Sequence, residues 1–495
     1  MRRRHLGADP AGPTLVTATA TGPDARLPDG FQAQVDPRCA ARGSWTHLVG
    51  GSPTRLLRMS RRATDMIDVD GRITVVDEGS RQLARTLIDA GVAHPRPMFG
   101  PHDDQVTVII PVRDNQAGVD RLLATLHGGD VVVVDDGSTV PIVVPGWVHL
   151  VRLDTNRGPA AARNHGAAVS SAEFLVFLDS DVVPLADGAA PAGCAGDWLT
   201  ALLAHFSDPA VGLVAPRIVA LPSAGSDRPP GIVERYEARF SALDMGPRES
   251  PVVPGGPLPY VPSAAMVVRR SAFLHFDAEL RVAEDVDMCW RMAGAGWRMR
   301  YDPVVEVAHE HRTSLPDMLA RRRFYGTGAA HLARRHGRRA APMVMGAAVS
   351  VAMAALLTRT RLGAVVAVVA VGFAAARIRA RIGPMPGRER IVAGLTGRAV
   401  GSGLTQVAGA VCRHYWPLAL LGALVSRRLR GLFVQVALVD AAVAWIRYRH
   451  DGGRGLGPLS FAAMRRLDDL AYGAGLWQGA VAHRDPTALL PVLAR

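Results

Sequence analysis

The sequence is poor in cysteine and has no lysine. Its four cysteines, Cys39, Cys194, Cys289 and Cys412, stand far apart, with no Cys-x-x-Cys pair and no zinc-ligand spacing. This excludes the common cysteine zinc motifs and fits free thiols in a reducing compartment. No apolar stretch separates Met1-Arg2-Arg3-Arg4 from Pro10, so no secretory signal is expected. Residues 1–27 lack any hydrophobic period and read as a disordered leader. With lysine absent, arginine carries the positive side of a net charge of +13. That balance suits phosphate-bearing ligands or an anionic membrane surface. An Arg- and Ala-rich background composition accounts for it equally well.

What is present divides into three stretches. Residues 28–97 alternate short strands and helices. Thr46–Val49 and Ile73–Val76 read as strands, Ser52 or Ser60 as the cap of a short helix, and Ser80 as the start of an amphipathic helix with Leu83, Leu87 and Ile88 inward. The pattern resembles a winged-helix α+β module of the PqqD-like peptide-recognition kind. Residues 104–335 carry nearly uninterrupted apolar runs at Val106–Pro111, Val131–Val134 and Phe174–Leu178, with helical stretches between. Such runs belong to strands covered on both faces, so the class is α/β with a mostly parallel twisted sheet. Residues 336–495 are apolar and helical. Ala340–Leu357 and Leu362–Ala376 fall near or short of the ~20 residues a spanning helix needs, and Arg377, Arg379, Arg381, Arg388 and Arg390 follow. A hairpin in or through the membrane interface, or a buried helical pair, both fit. Asp440 interrupts Gly431–Trp445, which favours a core or interfacial helix there.

In an open α/β sheet, ligands bind beyond the carboxyl ends of the strands. Polar residues gather at four such ends. Pro111, Arg113 and Asp114 follow the first apolar run, and Asp135 and Asp136, leading into Gly137-Ser138, follow the second. The acid pair can accept from a base and a ribose, or can form a simple Asp-Gly turn. Asn156-Arg157-Gly158 runs into a helix bearing Arg163. Amides at a helix start and guanidinium groups suit a diphosphate, with a solvated surface helix as the alternative. Asp179 and Asp181 follow the third run. Two acids at a buried strand end need a cation, and Mg²⁺ or Mn²⁺ with oxygen ligands supplies one. Farther on, Glu284 and Asp285 open a helix containing Trp290; the helix dipole explains part of that acidity. His309 or His311, after Val304–Val307, can complete a metal site.

The ordered set VTVIIPVRDN, VVVVDDGS, NRGPAAARNHG, FLDSDVVP, AEDVDMCWR and a late His resembles family 2 glycosyltransferases of the GT-A fold. Within that family the architecture is most similar to the mycofactocin-maturation branch. The resemblance covers residues 104–330 and implies roles. Asp114 and Asp136 would hold the base and ribose of a UDP-hexose, UDP-glucose being the implied donor. Pro111, Arg113, Asp135, Arg157, Arg163 and Asp179 would complete the donor side. Asp181 with His309 or His311 would bind the divalent metal. Asp285 would be the general base, with Glu284 and Trp290 on the acceptor side. The implied activity is inverting hexosyl transfer to a hydroxyl of a peptide-derived redox cofactor, building a short β-linked oligosaccharide at the cytoplasmic face of the membrane, with no nucleic-acid partner. A membrane enzyme acting on a polyprenyl phosphate or cell-envelope glycan, and an inactive peptide-binding protein, are the alternatives. Arg321–Gly326 stands where processive synthases carry Gln-x-x-Arg-Trp, which argues against an extruding mechanism.

Overall fold

The computed structural model describes residues 26–494 except 42–43, 52–53, 97–98, 127–128, 186–197, 222–228, 383 and 386. Most of the expected leader, Ser52 and Cys194 lie outside the described residues. Cys39, Cys289 and Cys412 are free thiols.

The central sheet is mixed. The strands His149–Arg152, Asp130–Asp135, Val106–Val112 and Phe174–Leu178 run parallel in that spatial order. Ala265–Arg269 then joins antiparallel, followed by Val211–Ala220, Arg298–His309 and Val182–Pro184. Strand alternation divides the side chains between two cores. Val106, Val108, Ile110 and Val112 face one side with Phe174, Val176 and Leu178. Ile109, Leu175 and Phe177 face the other. The Gln116–Leu123 helix covers the first face, and the Pro159–Val169 and Glu284–Gly294 helices the second. Both faces being covered explains the unbroken apolar runs, and the α/β expectation is met.

Residues 27–93 bury a separate core around Leu27, Phe31, Leu48, Ile73 and Leu87, with two three-stranded sheets. The amphipathic helix starts one turn earlier than expected. It spans Glu78–Asp89 and is capped by Asp77, with Ser80 at the third position completing a reciprocal capping box. The second strand is Arg72–Thr74, shorter than the apolar pattern suggested. Ser60 does cap a short helix, accepting from the Ala63 amide. Bidentate ion pairs fix this unit to the central sheet and its flank: Arg85 with the buried Asp208, Arg298 with Asp89, and Arg96 with Glu249. Arg298 begins the Arg298–His309 strand and His309 ends it. The unit is therefore docked at the end of that strand opposite His309.

The C-terminal region is a set of long helices. Leu315–His336 crosses Pro458–Ala482 at close range because glycines line the contact. A Cβ on Gly475 would stand 1.8 Å from the Arg323 carbonyl oxygen, and one on Gly326 2.1 Å from that of Tyr472. Ala347–Leu357 pairs with Arg361–Ile382, and Trp416–Val425 with Arg427–His450. Arg361–Ile382 and Arg427–His450 are long and apolar enough to cross a membrane, and most of their side chains are exposed. Of the core or interfacial helix expected around Asp440, the exposure of the second fits the interfacial form. Val439 is 59% exposed, while Asp440 turns inward onto Arg465 at 2.8 Å and onto Arg466. One internal ion pair thus removes the charge that seemed to break the apolar run.

Candidate active site

Register brings the strand ends to one edge. Val112 pairs with Asp135, and Phe177 with Ile109 in parallel alignment, so Arg113, Asp136 and Asp179 emerge together. They border a cavity of about 1140 Å³. Pro111, Arg113, Asp136, Arg163, Asp179, Asp181, Glu284, Asp285, Trp290 and His309 all line it.

Asp114, Asp135, Arg157 and His311 are not on the cavity wall. Asp135 is fully buried, and its carboxylate is spent on the Ser138 and Ile142 amides and on Arg152 at 2.9 Å. It closes the turn rather than facing a ligand. Asp114 adopts a left-handed backbone, φ 52°, and accepts from the Thr139 amide at 2.7 Å. Arg157 contributes its backbone: its amide and that of Gly158 each donate to Asp136 at 2.7 Å. That pair of bonds moors the 156–158 loop over the second strand end. The mooring is tight enough that Gly137, at φ 67°, could carry no Cβ without meeting Asn156 N at 2.8 Å.

Arg163 projects from the first helical turns after this loop. It is buried, bonded to Asp179 and, at 3.3 Å, to Glu284. One guanidinium thus ties the Asp179–Asp181 strand end to the Glu284–Asp285 helix start. The two acids of the Asp-Ser-Asp segment are pushed apart. Burial raises the Asp179 carboxyl and Asp181 adds to the rise, against Arg163. Burial would raise Asp181 too, but the hydrogen bond and charge of His309 hold it below the usual range. His309 reaches Asp181 because Val182 pairs with His309 across the sheet edge. Its Nε2 lies 3.4 Å from Asp181 Oδ2, and its Nδ1 lies 3.1 Å from that of His311. His309 therefore faces the cavity and His311 stands behind it, lowered to about 4 by burial and by His309.

No group of three His, Cys, Asp or Glu side chains converges as a metal cage among the described residues. Asp181 Oδ1 is nevertheless buried without a hydrogen-bond partner among them. An orphaned anionic oxygen beside an imidazole fits a Mg²⁺ or Mn²⁺ ion held by one or two protein ligands, with water and phosphate oxygens completing the shell.

Asp285 is half-buried in the same cavity. Ala283, at φ 63°, makes the sharp entry to its helix. Asp285 accepts from the Val286 amide at 2.8 Å and from that of Ser263 at 3.3 Å. Burial, then the neighbouring Glu284, raises its carboxyl to about 7. A carboxylate poised there suits proton abstraction near neutral pH. Asp287, two residues on, is different. It is saturated by Arg291 at 2.7 Å and His336 at 2.9 Å and ties its helix to Leu315–His336.

Sequence reasoning missed half of the cavity wall. Arg321, Phe324 and Tyr325 from the Leu315–His336 helix line it, as do Arg413 and Tyr472 from farther along the chain. The aromatic and basic composition of Arg321–Tyr325 was the available signal.

Comparison with known proteins agrees with this geometry. The glycosyl transferase family 2 model matches residues 107–275, and the glycosyl transferase family group 2 model matches 195–385. The pre-mycofactocin glycosyltransferases of two Mycobacterium tuberculosis strains, CDC 1551 / Oshkosh and ATCC 25618 / H37Rv, are each 45% identical over 478 residues, covering 94% of this chain and 98% of theirs. Among solved structures, a Pyrobaculum calidifontis mannosyltransferase in complex with GDP-Man and Mn²⁺ is 18% identical with a TM-score of 0.33, covering 70% of this chain and 89% of its own. Near-full-length identity to those mycobacterial enzymes, together with the family match over the sheet that carries the acids, makes this chain a family 2 glycosyltransferase.

Proposed function

We propose that the enzyme transfers a hexose, glucose from UDP-glucose, to a hydroxyl of a pre-mycofactocin-type acceptor with inversion, and repeats the step to build a short β-linked chain. The observation that carries this reading is that Asp285 and the Asp179–Asp181 pair share one cavity, in a chain 45% identical to pre-mycofactocin glycosyltransferases.

Asp136 and Arg163, with Pro111 and Arg113, hold the nucleotide half of the donor. Asp181 and His309 would hold Mg²⁺ or Mn²⁺, which when bound supplies positive charge against the diphosphate leaving group. Arg163 keeps Asp179 in place and sets Glu284 beside Asp285. The acceptor oxygen bonds to the anomeric carbon as the bond from that carbon to the diphosphate oxygen breaks. Asp285 takes the acceptor proton, and the departing UDP takes the electron pair. A single displacement turns an α-linked donor into a β-linked product.

Membrane attachment belongs to this reading. Arg359 Nη1 lies 3.6 Å from where a Cβ on Gly431 would stand, so the tips of the two C-terminal hairpins meet. Arg359, Arg361, Arg427, Arg428 and Arg430 gather at that end. Arg377, Arg379, Arg381, Arg447 and Arg449 mark the opposite ends of the long helices. The apolar segments between, 362–376 and 431–446, are roughly 22–24 Å long. With arginine side chains reaching outward, that band matches a hydrocarbon core of ~30 Å. The 28–97 unit, read as a peptide-recognition module, contributes no described residue to the cavity wall. Its part is to engage a peptide or partner protein away from the reacting centre. The same apolar band favours a second reading, a polyprenyl-phosphate or envelope-glycan acceptor.

The test is mass spectrometry of pre-mycofactocin incubated with UDP-glucose, Mn²⁺ and the full chain. Hexose-spaced products are expected. UDP release without them, and with hexose recovered on a polyprenyl phosphate offered in parallel, selects the second reading.

A further inference from the structure

The donor half of the cavity is built at the strand ends. The opposite half is built from three elements that sequence motifs do not connect. Tyr260 lies in the segment before the Ala265–Arg269 strand, Tyr325 on the Leu315–His336 helix, and Tyr472 on the Pro458–Ala482 helix, and all three line the cavity with Asp285. Their placement is enforced. The missing Cβ of Gly326 lets the helix bearing Tyr325 approach the backbone of Tyr472 itself. Arg413 lies over the Tyr472 ring at 4.0 Å and Arg321 over that of Tyr325 at 5.6 Å, each fixing one ring face. Trp290 is pinned nearby by its bond to the Pro259 carbonyl at 3.0 Å.

None of the three phenol hydroxyls has a hydrogen-bond partner among the described residues. Half-buried tyrosines normally find one. Burial, then Asp285, Tyr472 and Tyr325, pushes the Tyr260 hydroxyl above its usual range, and burial raises Tyr325 as well. All three residues line the same cavity as Asp285, and a phenol O–H can donate to a ligand there.

We propose that Tyr260, Tyr325 and Tyr472 are the acceptor subsite, holding a ring that carries hydroxyl groups so that one of them meets Asp285. Phenol O–H groups donate to ring oxygens while aromatic faces stack on the ring. The ring belongs either to the unglycosylated acceptor or to the sugar added in the preceding round. This proposal rests on the transferase reading above.

The experiment replaces each residue in the full chain, Tyr260→Phe, Tyr325→Phe and Tyr472→Phe, with Tyr325→Ala to remove the stacking face. Each is assayed with UDP-glucose, Mn²⁺ and pre-mycofactocin. Each Phe variant should raise the acceptor KM about fivefold, the worth of one hydrogen bond, and the Ala variant more. The donor KM, measured at saturating acceptor, should not move. A slower first addition assigns the subsite to the acceptor's own ring, and a slower second addition alone assigns it to the preceding sugar. An unchanged acceptor KM in all variants, or a donor KM that rises in step with it, overturns the proposal. If the unaltered chain hydrolyses UDP-glucose but never glycosylates pre-mycofactocin, the acceptor reading fails first and this proposal with it.

Discussion

His309 Nε2 lies 3.4 Å from Asp181 Oδ2, while the other oxygen of that carboxylate is buried with no partner among the described residues. On the proposed reading the pair would supply the protein's ligands to a divalent metal. His309→Ala and Asp181→Ala should each weaken Mn²⁺-dependent binding of UDP-glucose by about tenfold or more. His311→Ala should have a smaller effect, since it acts only through His309. Titration calorimetry with and without Mn²⁺ checks this, and equal losses at His309 and His311 would reverse the assignment.

The raised carboxyl of Asp285 fixes the pH response. A base protonated below about 7 cannot accept the acceptor proton, so kcat should fall about tenfold per pH unit below that value and level off above it. The same shift acts on stability with a definite sign. The folded value lies above the ordinary carboxylate range, so the folded state loses stability as pH rises from about 4 toward 7. Asp285→Asn should therefore melt higher than the unaltered chain at pH 8, and much less so at pH 4. Thermal melts at the two pH values measure the difference.

The catalytic half of the molecule was legible because its signals are local. The Phe174–Leu178 run is a strand to the residue, and the acids after it lie at its carboxyl end. Composition could not distinguish Asp135 from Asp136. They are adjacent on an extended chain and so point to opposite sides, one into the turn and one toward the cavity. The choice between His309 and His311 stayed open for another reason: two residues apart they share a strand face, and only pairing with Val182 brings His309 beside Asp181. The aromatic wall was invisible because it depends on contacts between residues far apart in the chain, such as Gly326 against the Tyr472 backbone. How Asp440 is accommodated in its apolar helix was not legible because its arginine partners come from a later helix.

Glycine packing between the two cavity-lining helices gives a stability prediction. Gly475→Ala forces a Cβ against the Arg323 carbonyl, backbone that cannot swing aside. Overpacking of this kind costs about 1–3 kcal/mol. A lowered melting temperature is expected, with acceptor KM raised more than donor KM because Tyr325 and Tyr472 shift. Gly372→Ala, where no atom lies within 4 Å of the added Cβ, is the neutral control.

The apolar band with arginines at both ends predicts integral membrane behaviour. The full chain should stay with the membrane pellet after high salt and after alkaline carbonate, and leave it only in detergent. Release by salt alone would reduce the attachment to surface charge.

The most direct test of the central claim, that acids gathered at the mouth of the sheet perform the transfer, is single-turnover hexosyl transfer by Asp285→Asn beside its affinity for UDP-glucose with Mn²⁺. The account predicts transfer slowed by about 10²–10⁴-fold with donor affinity close to that of the unaltered enzyme. Near-normal transfer by this variant would contradict it.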